Sequence, residues 1–118
     1  MAKILIADDA AFMRMRSSTL LKELGHEVIE AADGAEAVSK FKSEHPDAVL
    51  LDITMPVMDG LEALRTILAD DPNARVAMVT AMGQQQIIME AIKAGARDFV
   101  VKPFDADRIQ AALWKLVA

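Results

Sequence analysis

The chain has 118 residues, 53% of them apolar and 26% charged, which suits one domain with a real core rather than a disordered segment. Thirteen Lys and Arg stand against 18 Asp and Glu, a net charge of −5, so the surface has nothing to draw in a nucleic-acid backbone. No cysteine is present, which excludes disulfide scaffolds, thiolate zinc sites and cysteine nucleophiles.

Strand-like and helix-like segments alternate along the whole chain. Residues 3–7, Lys-Ile-Leu-Ile-Ala, read as the first strand and leave no room for a signal peptide before them. A helix follows whose apolar stripe includes Leu20, Leu21 and Leu24 and which ends at Gly25, a C′ residue. Residues 27–31 are more polar and suit an edge strand. Asp33-Gly34 opens the second helix with Asp33 as N-cap. Residues 48–51 form the third strand, ended by Asp52. Gly60 begins a third helix that runs to about Ala69, before the turn Asp71-Pro72-Asn73. Residues 75–79 form the fourth strand, ended by Thr80. A helix over about 84–94 stops at Gly95. Residues 98–101 form the fifth strand, Lys102-Pro103 follows it, and Asp105 caps a last helix that continues almost to Ala118. Four of the five strands are nearly continuous in Ile, Leu, Val and Ala, the pattern of strands covered on both faces. No apolar run approaches the length needed to span a membrane.

This alternation predicts a three-layer α/β fold of the flavodoxin-like (βα)5 kind, a parallel five-stranded sheet between two layers of helices, formed as one domain over residues 1–118. Chemistry in such a sheet collects beyond the carboxyl ends of the strands. Asp8, Asp9, Asp52, Thr80 and Lys102 all fall there. Each alone has an ordinary explanation as a turn, a cap or a strand end. Independent turn chemistry has no reason to gather them on one rim. Together they suit Mg²⁺, which takes hard oxygen ligands in a partly open shell. Asp52 can attack phosphorus to give an acyl phosphate, Lys102 can offset phosphoryl charge, and Thr80 can donate to a bound phosphoryl oxygen.

The motifs Asp8-Asp9, Asp52 followed by Ile53-Thr54-Met55-Pro56-Val57-Met58-Asp59-Gly60, Thr80-Ala81 and Lys102-Pro103-Phe104 resemble those of the receiver domains of two-component signalling, over essentially the whole chain. Within that family the chain is most similar to the single-domain chemotaxis regulators, on the stretches Asp8-Asp9-Ala10-Ala11-Phe12-Met13-Arg14 and Ala91-Ile92-Lys93-Ala94-Gly95-Ala96-Arg97-Asp98-Phe99. The resemblance implies strand order 2-1-3-4-5. It implies that Asp52 is the phosphoacceptor and that the donor is a phosphohistidine on a sensor histidine kinase. Asp8, Asp9, Asp52 and the backbone carbonyl of Thr54 would hold Mg²⁺, and Lys102, joined to Pro103 by a cis bond, would contact the phosphoryl group. Thr80 and Phe99 would be a coupled switch pair. The implied output is a downstream protein such as the flagellar motor switch, with a separate phosphatase to reset it. A cytoplasmic monomer follows, with no nucleic-acid or membrane partner and no enzyme activity beyond its own phosphorylation and dephosphorylation. Phe99 departs from the family pattern, since relatives often carry tyrosine there; it can still turn inward or outward but has no hydroxyl.

The output face implied is the fourth helix, fifth strand and fifth helix. Helical geometry puts Ile87, Ile88, Ala91, Ile92 and Ala94 on the core arc of the fourth helix and leaves Met89 outside it, beside Gln85 and Lys93. In the fifth helix, Ile109, Ala112, Leu113 and Leu116 form the buried arc. Trp114 lies away from that arc, near Asp107 and Gln110. A partner or self-association face is one account of this lone tryptophan, and burial against the protein's own loops is the other. Met89, Lys93, Phe99 and Trp114 are thus the expected partner face. Met13, Met15, Met55, Met58 and Met78 read as gap-fillers. Met82, two residues past Thr80, is placed to obstruct the water that would hydrolyse the acyl phosphate. His26 and His45 lie at the opposite end of the sheet and read as solvated.

Two readings from other classes compete. An aspartate-nucleophile phosphohydrolase wants a second aspartate where Thr54 stands. A flavodoxin-like cofactor binder wants a Gly- or Ser/Thr-rich loop where Asp8-Asp9 stands. A receiver cut from a longer regulator remains a third possibility.

Overall fold

Both faces of the central strands are apolar because both are covered. The computed structural model describes residues 2–81 and 84–117. The elements run in order β1 (Lys3–Ala7), α1 (Ala11–Glu23), β2 (Glu27–Ala31), α2 (Gly34–Glu44), β3 (Ala48–Asp52), α3 (Gly60–Asp70), β4 (Val76–Thr80), α4 (Gln85–Ala94), β5 (Asp98–Val101) and α5 (Ala106–Val117). The strands form one parallel sheet of order β2-β1-β3-β4-β5. Every residue of β3 and β4 is buried, while β2 at one edge is half-exposed, as its polar sequence predicts.

Alternate side chains along each strand feed two separate apolar layers. Leu5, Val49, Leu51 and Met78 pack with Phe41, Leu64, Ile67 and Ala91 on one face. Ile4, Ile6, Leu50, Ala77 and Val79 pack with Leu21, Ile109, Leu113 and Leu116 on the other. Gly25 adopts φ 92° after α1, where the amides of Gly25 and His26 bond back to the carbonyls of Lys22 and Leu21. Asp33, Asp59 and Asp105 each accept from the amide three residues on, which caps α2, α3 and α5. Among the described residues no helix is long and apolar enough to cross a membrane.

Four readings of the sequence need correction. Asp52 and Thr80 are the last residues of their strands, so β3 and β4 each end one residue later than expected. Ile92 is 43% exposed rather than part of a core arc, and Ala91 is the one buried residue of α4. Ile87, Ile88 and Ala94 are half-buried and pack against the core as the arc predicts, so Ile92 alone departs from it. Met15 is exposed on α1 and fills no gap. His26 is half-buried, and its Nδ1 accepts from the Ala2 amide at 3.2 Å; His45 is exposed, as expected.

Candidate functional site

The site begins with the pairing of β1 and β3. Ala7 stands opposite Leu51, so the next residues, Asp8 and Asp52, emerge side by side. Asp8 is 3% exposed and Asp52 7% exposed. The Asp8 amide donates to Ala31, its Oδ1 accepts from the Ala10 amide at 2.9 Å, and Arg14 donates to its backbone carbonyl at 2.7 Å. Arg14 is itself held by Glu30 at 3.1 Å. Asp9 projects into solvent beside them, and Asp8, Asp9 and Asp52 each bring a carboxylate oxygen to within 4.8 Å of the others.

The loop after Asp52 is pinned by backbone. A Cβ on Gly60 would stand 2.0 Å from the Asp52 carbonyl oxygen, and one on Gly34 would stand 2.1 Å from that of Met58. The amides of these two glycines donate to Ile53 and Met58. Only residues without a side chain let the starts of α2 and α3 approach the loop after Asp52 so closely.

Lys102, which directly follows β5 and is joined to Pro103 by a cis bond, crosses the rim. Its Nζ lies 2.9 Å from Asp8 Oδ2 and 2.9 Å from Asp52 Oδ2. Burial pushes the Asp52 carboxyl above its ordinary range; Lys102 opposes this, while the neighbouring Asp8 adds to it. Burial alone would lower Lys102, but its hydrogen bonds to Asp52 and Asp8 outweigh that and raise it. One cation shared by two carboxylates is well compensated, whereas each carboxylate has only part of a counter-charge. The rim therefore remains short of positive charge, and its hard oxygen donors fit Mg²⁺.

Thr80 is fully buried at the end of β4. Its hydroxyl contacts Gln84 Oε1 and the Ala81 carbonyl. Gln84 Nε2 reaches Thr54 Oγ1 at 3.3 Å, which ties the loop after β3 to the loop after β4. Sequence reasoning missed Gln84, because a glutamine at the start of a helix carries no signal of its own. It also missed Arg14, and it missed Asp59 as a cap, although Asp59-Gly60-Leu61-Glu62 has capping-box spacing.

Phe99 is 36% exposed on β5 and faces a cleft of about 500 Å³ that also takes in Ile88, Met89 and Val101. Met89 and Lys93 are exposed on α4. Trp114 is 73% exposed, which overturns burial against the protein's own loops. Arg108 donates to the Phe99 carbonyl and stands 3.6 Å from the buried Asp98. Met82 lies outside the described residues.

Residues 4–114 match the response regulator receiver domain family. The chain is 56% identical over 116 residues to the chemotaxis protein CheY of Listeria monocytogenes, covering 98% of both chains. It is 54% identical to CheY of Bacillus subtilis, covering 96% of this chain and 95% of that one. Among solved structures, a receiver domain protein from Clostridium thermocellum superposes with a TM-score of 0.95 at 29% identity, covering 99% of this chain and 94% of that one. The CheX–CheY–BeF3–Mg complex from Borrelia burgdorferi matches with a TM-score of 0.92 at 38% identity, covering 98% and 89%. Fold, strand order and full-length likeness agree: the chain belongs to the response regulator receiver domain family, as the receiver of a CheY-like response regulator in two-component signalling.

Proposed function

We propose that Asp52 is the phosphoacceptor of a Mg²⁺-dependent switch whose donor is a phosphohistidine on a sensor histidine kinase. The observation that carries this is the buried Asp52 carboxylate, packed between Asp8 and the Lys102 ammonium with Asp9 alongside. An Asp52 oxygen forms a bond to phosphorus while the phosphorus–nitrogen bond to histidine breaks and its electron pair returns to the imidazole. Lys102 already sits against Asp52 and exchanges that contact for a phosphoryl oxygen. Mg²⁺, held by Asp8, Asp9, Asp52 and the Thr54 carbonyl, would offset charge on the phosphoryl oxygens when bound. The likeness to a CheY solved with BeF3 and Mg²⁺ supports both parts of the site.

In the same reading, Thr80 donates to the phosphoryl group and Phe99 turns into the space this opens, which alters the α4–β5–α5 face. Met89, Lys93, Phe99 and Trp114 then meet a downstream protein such as the flagellar motor switch, and a separate phosphatase resets the state. The chain acts as a single receiver domain over residues 1–118, a monomer in the cytoplasm. It is a phosphoacceptor with only self-directed chemistry.

Incubation with acetyl phosphate or phosphoramidate and Mg²⁺, followed by intact mass, tests the central step. The parent gains one phosphoryl group and Asp52→Asn gains none. An adduct of equal yield in the variant overturns the assignment.

A further inference from the structure

We propose that Gln84 is a latch on the switch hydroxyl: it holds Thr80 in a resting orientation and so sets how readily a phosphoryl group on Asp52 can recruit it. The inference rests on the reading of Asp52 as phosphoacceptor and Thr80 as its hydrogen-bond donor, and adds a control element to that site.

The hydrogen bonds around Gln84 settle which way its amide faces. The Ala81 amide can only donate, and it points at Gln84 from 3.0 Å, so the atom it meets is the oxygen. That oxygen is also the partner of Thr80 Oγ1, so in this contact the hydroxyl must be the donor. The amide nitrogen is left to donate to Thr54 Oγ1 at 3.3 Å. A threonine has one hydroxyl proton. In this arrangement the Thr80 proton is directed to Gln84, with the Ala81 carbonyl at 2.9 Å as a second acceptor. A phosphoryl oxygen on Asp52 is an acceptor and needs the same proton. Recruiting Thr80 therefore breaks its bond to Gln84.

Helix capping does not account for this residue. Asp33, Asp59 and Asp105 at the starts of α2, α3 and α5 turn their side chains onto helix amides. Gln84 is the N-cap of α4 and makes no side-chain cap bond; its side chain turns back to Thr80, Ala81 and Thr54. Glutamine is not among the residues that favour an N-cap, so its fit here is to the two loops and not to the helix. Because Thr80 is fully buried, its hydroxyl chooses among protein acceptors, Gln84 Oε1 and the Ala81 carbonyl, and any phosphoryl oxygen must displace the bond to Gln84. A ligand that needs the minor state binds with an affinity reduced by that state's population.

The experiment titrates beryllium fluoride at saturating Mg²⁺, by calorimetry, into the parent, Gln84→Ala, Thr80→Val and the double variant. Gln84→Met, which keeps the length and removes the amide, serves as a second probe of the same contact. Both Gln84 variants also lose the bonds to Ala81 and Thr54, which the Thr80→Val background subtracts; release of the Thr80 hydroxyl from its one neutral bond to Gln84 should tighten binding by about two- to tenfold. In the Thr80→Val background, which has no hydroxyl to latch, Gln84→Ala should change binding by less than about twofold. Unchanged or weaker binding in both Gln84 variants overturns the latch, and so does a gain that persists without the Thr80 hydroxyl. A parent that fails to bind, or binds no better than Asp52→Asn, overturns instead the reading of Asp52 on which the latch rests.

Discussion

The helices that follow β3 and β4 are nearly equal in length and unlike in anchorage. α3 starts on Gly60, pressed against the Asp52 backbone, is capped by Asp59, and buries Gly60, Ala63, Leu64 and Ile67. α4 has no side-chain cap and fully buries only Ala91, with Ile87, Ile88 and Ala94 half-buried against the core and Met89 and Ile92 exposed. Elements that move in a switch come from the weakly anchored end of a structure, and a nucleophile must be held still by the strongly anchored end. On the proposed reading, the contrast puts the fixed half of the site at β1, β3 and α3 and the adaptable half at α4.

The comparison breaks most sharply at the glycines. In Gly60→Ala the new methyl meets backbone that no rotamer change can move, so we expect a loss at or beyond the upper end of the about 1–3 kcal/mol typical of overpacking. Urea unfolding in EDTA measures it; a variant as stable as the parent would show that α3 can slide and is not the fixed flank. Next come matched truncations. Leu64→Ala on α3 should cost about 2–5 kcal/mol, and Ile92→Ala on α4 should stay within about 0.5 kcal/mol. Similar losses at both positions would remove the distinction between the helices.

Lys102→Met sharpens the account of the fixed half. Truncating one partner of a fully buried ion pair costs about 3–5 kcal/mol. Lys102 is 20% exposed, and water can partly replace it, so about 1–2 kcal/mol is expected in EDTA. Excess Mg²⁺ should recover most of that loss, because it supplies the missing positive charge to Asp8 and Asp52 and stabilises the native state that binds it. A loss that Mg²⁺ leaves untouched would mean that Lys102 matters for packing and not for charge.

The fixed half was the more legible from sequence. Its strands are continuous apolar runs, and its acids follow the strand ends directly, so topology carried them to one rim. The adaptable half was read less well for a physical reason. A helical wheel shows which residues share an arc but not how wide a strip the neighbours cover, and on α4 the covered strip takes in Ile87, Ile88, Ala91 and Ala94 while Ile92 at its margin is left in solvent. Trp114 was placed outside the buried arc, yet only the structure decides between solvent and a covering loop. Arg14 and Gln84 each make one bond to a residue distant in the chain, Glu30 at 16 residues and Thr54 at 30, which no local spacing announces, and the nearer bond of Gln84 to Thr80 has no recognised sequence signature.

The smallest expected effect concerns pH. Asp52 in the folded protein titrates above its ordinary 3.8, chiefly through burial, so folding favours its protonated form. A group shifted in this direction contributes stability that is complete below its unfolded value and is lost as pH rises through its folded value. Lys102 is also raised, so its contribution holds throughout the acid and neutral range and disappears only on the alkaline side, as pH climbs from its ordinary 10.5 through its folded value. Asp52→Asn deletes the acid-side dependence and leaves the other carboxylates in place. In EDTA, the stability of the variant relative to the parent should therefore rise as pH is taken from about 4 to about 8, read as a difference in urea midpoints. A flat difference would show that Lys102 compensates Asp52 in full. Repeating the series in excess Mg²⁺ should invert the slope, because a bound cation favours the Asp52 carboxylate and draws its pKa down. Without metal, the ionised Asp52 carboxylate is thus disfavoured by its own burial, and a bound cation would relieve that cost.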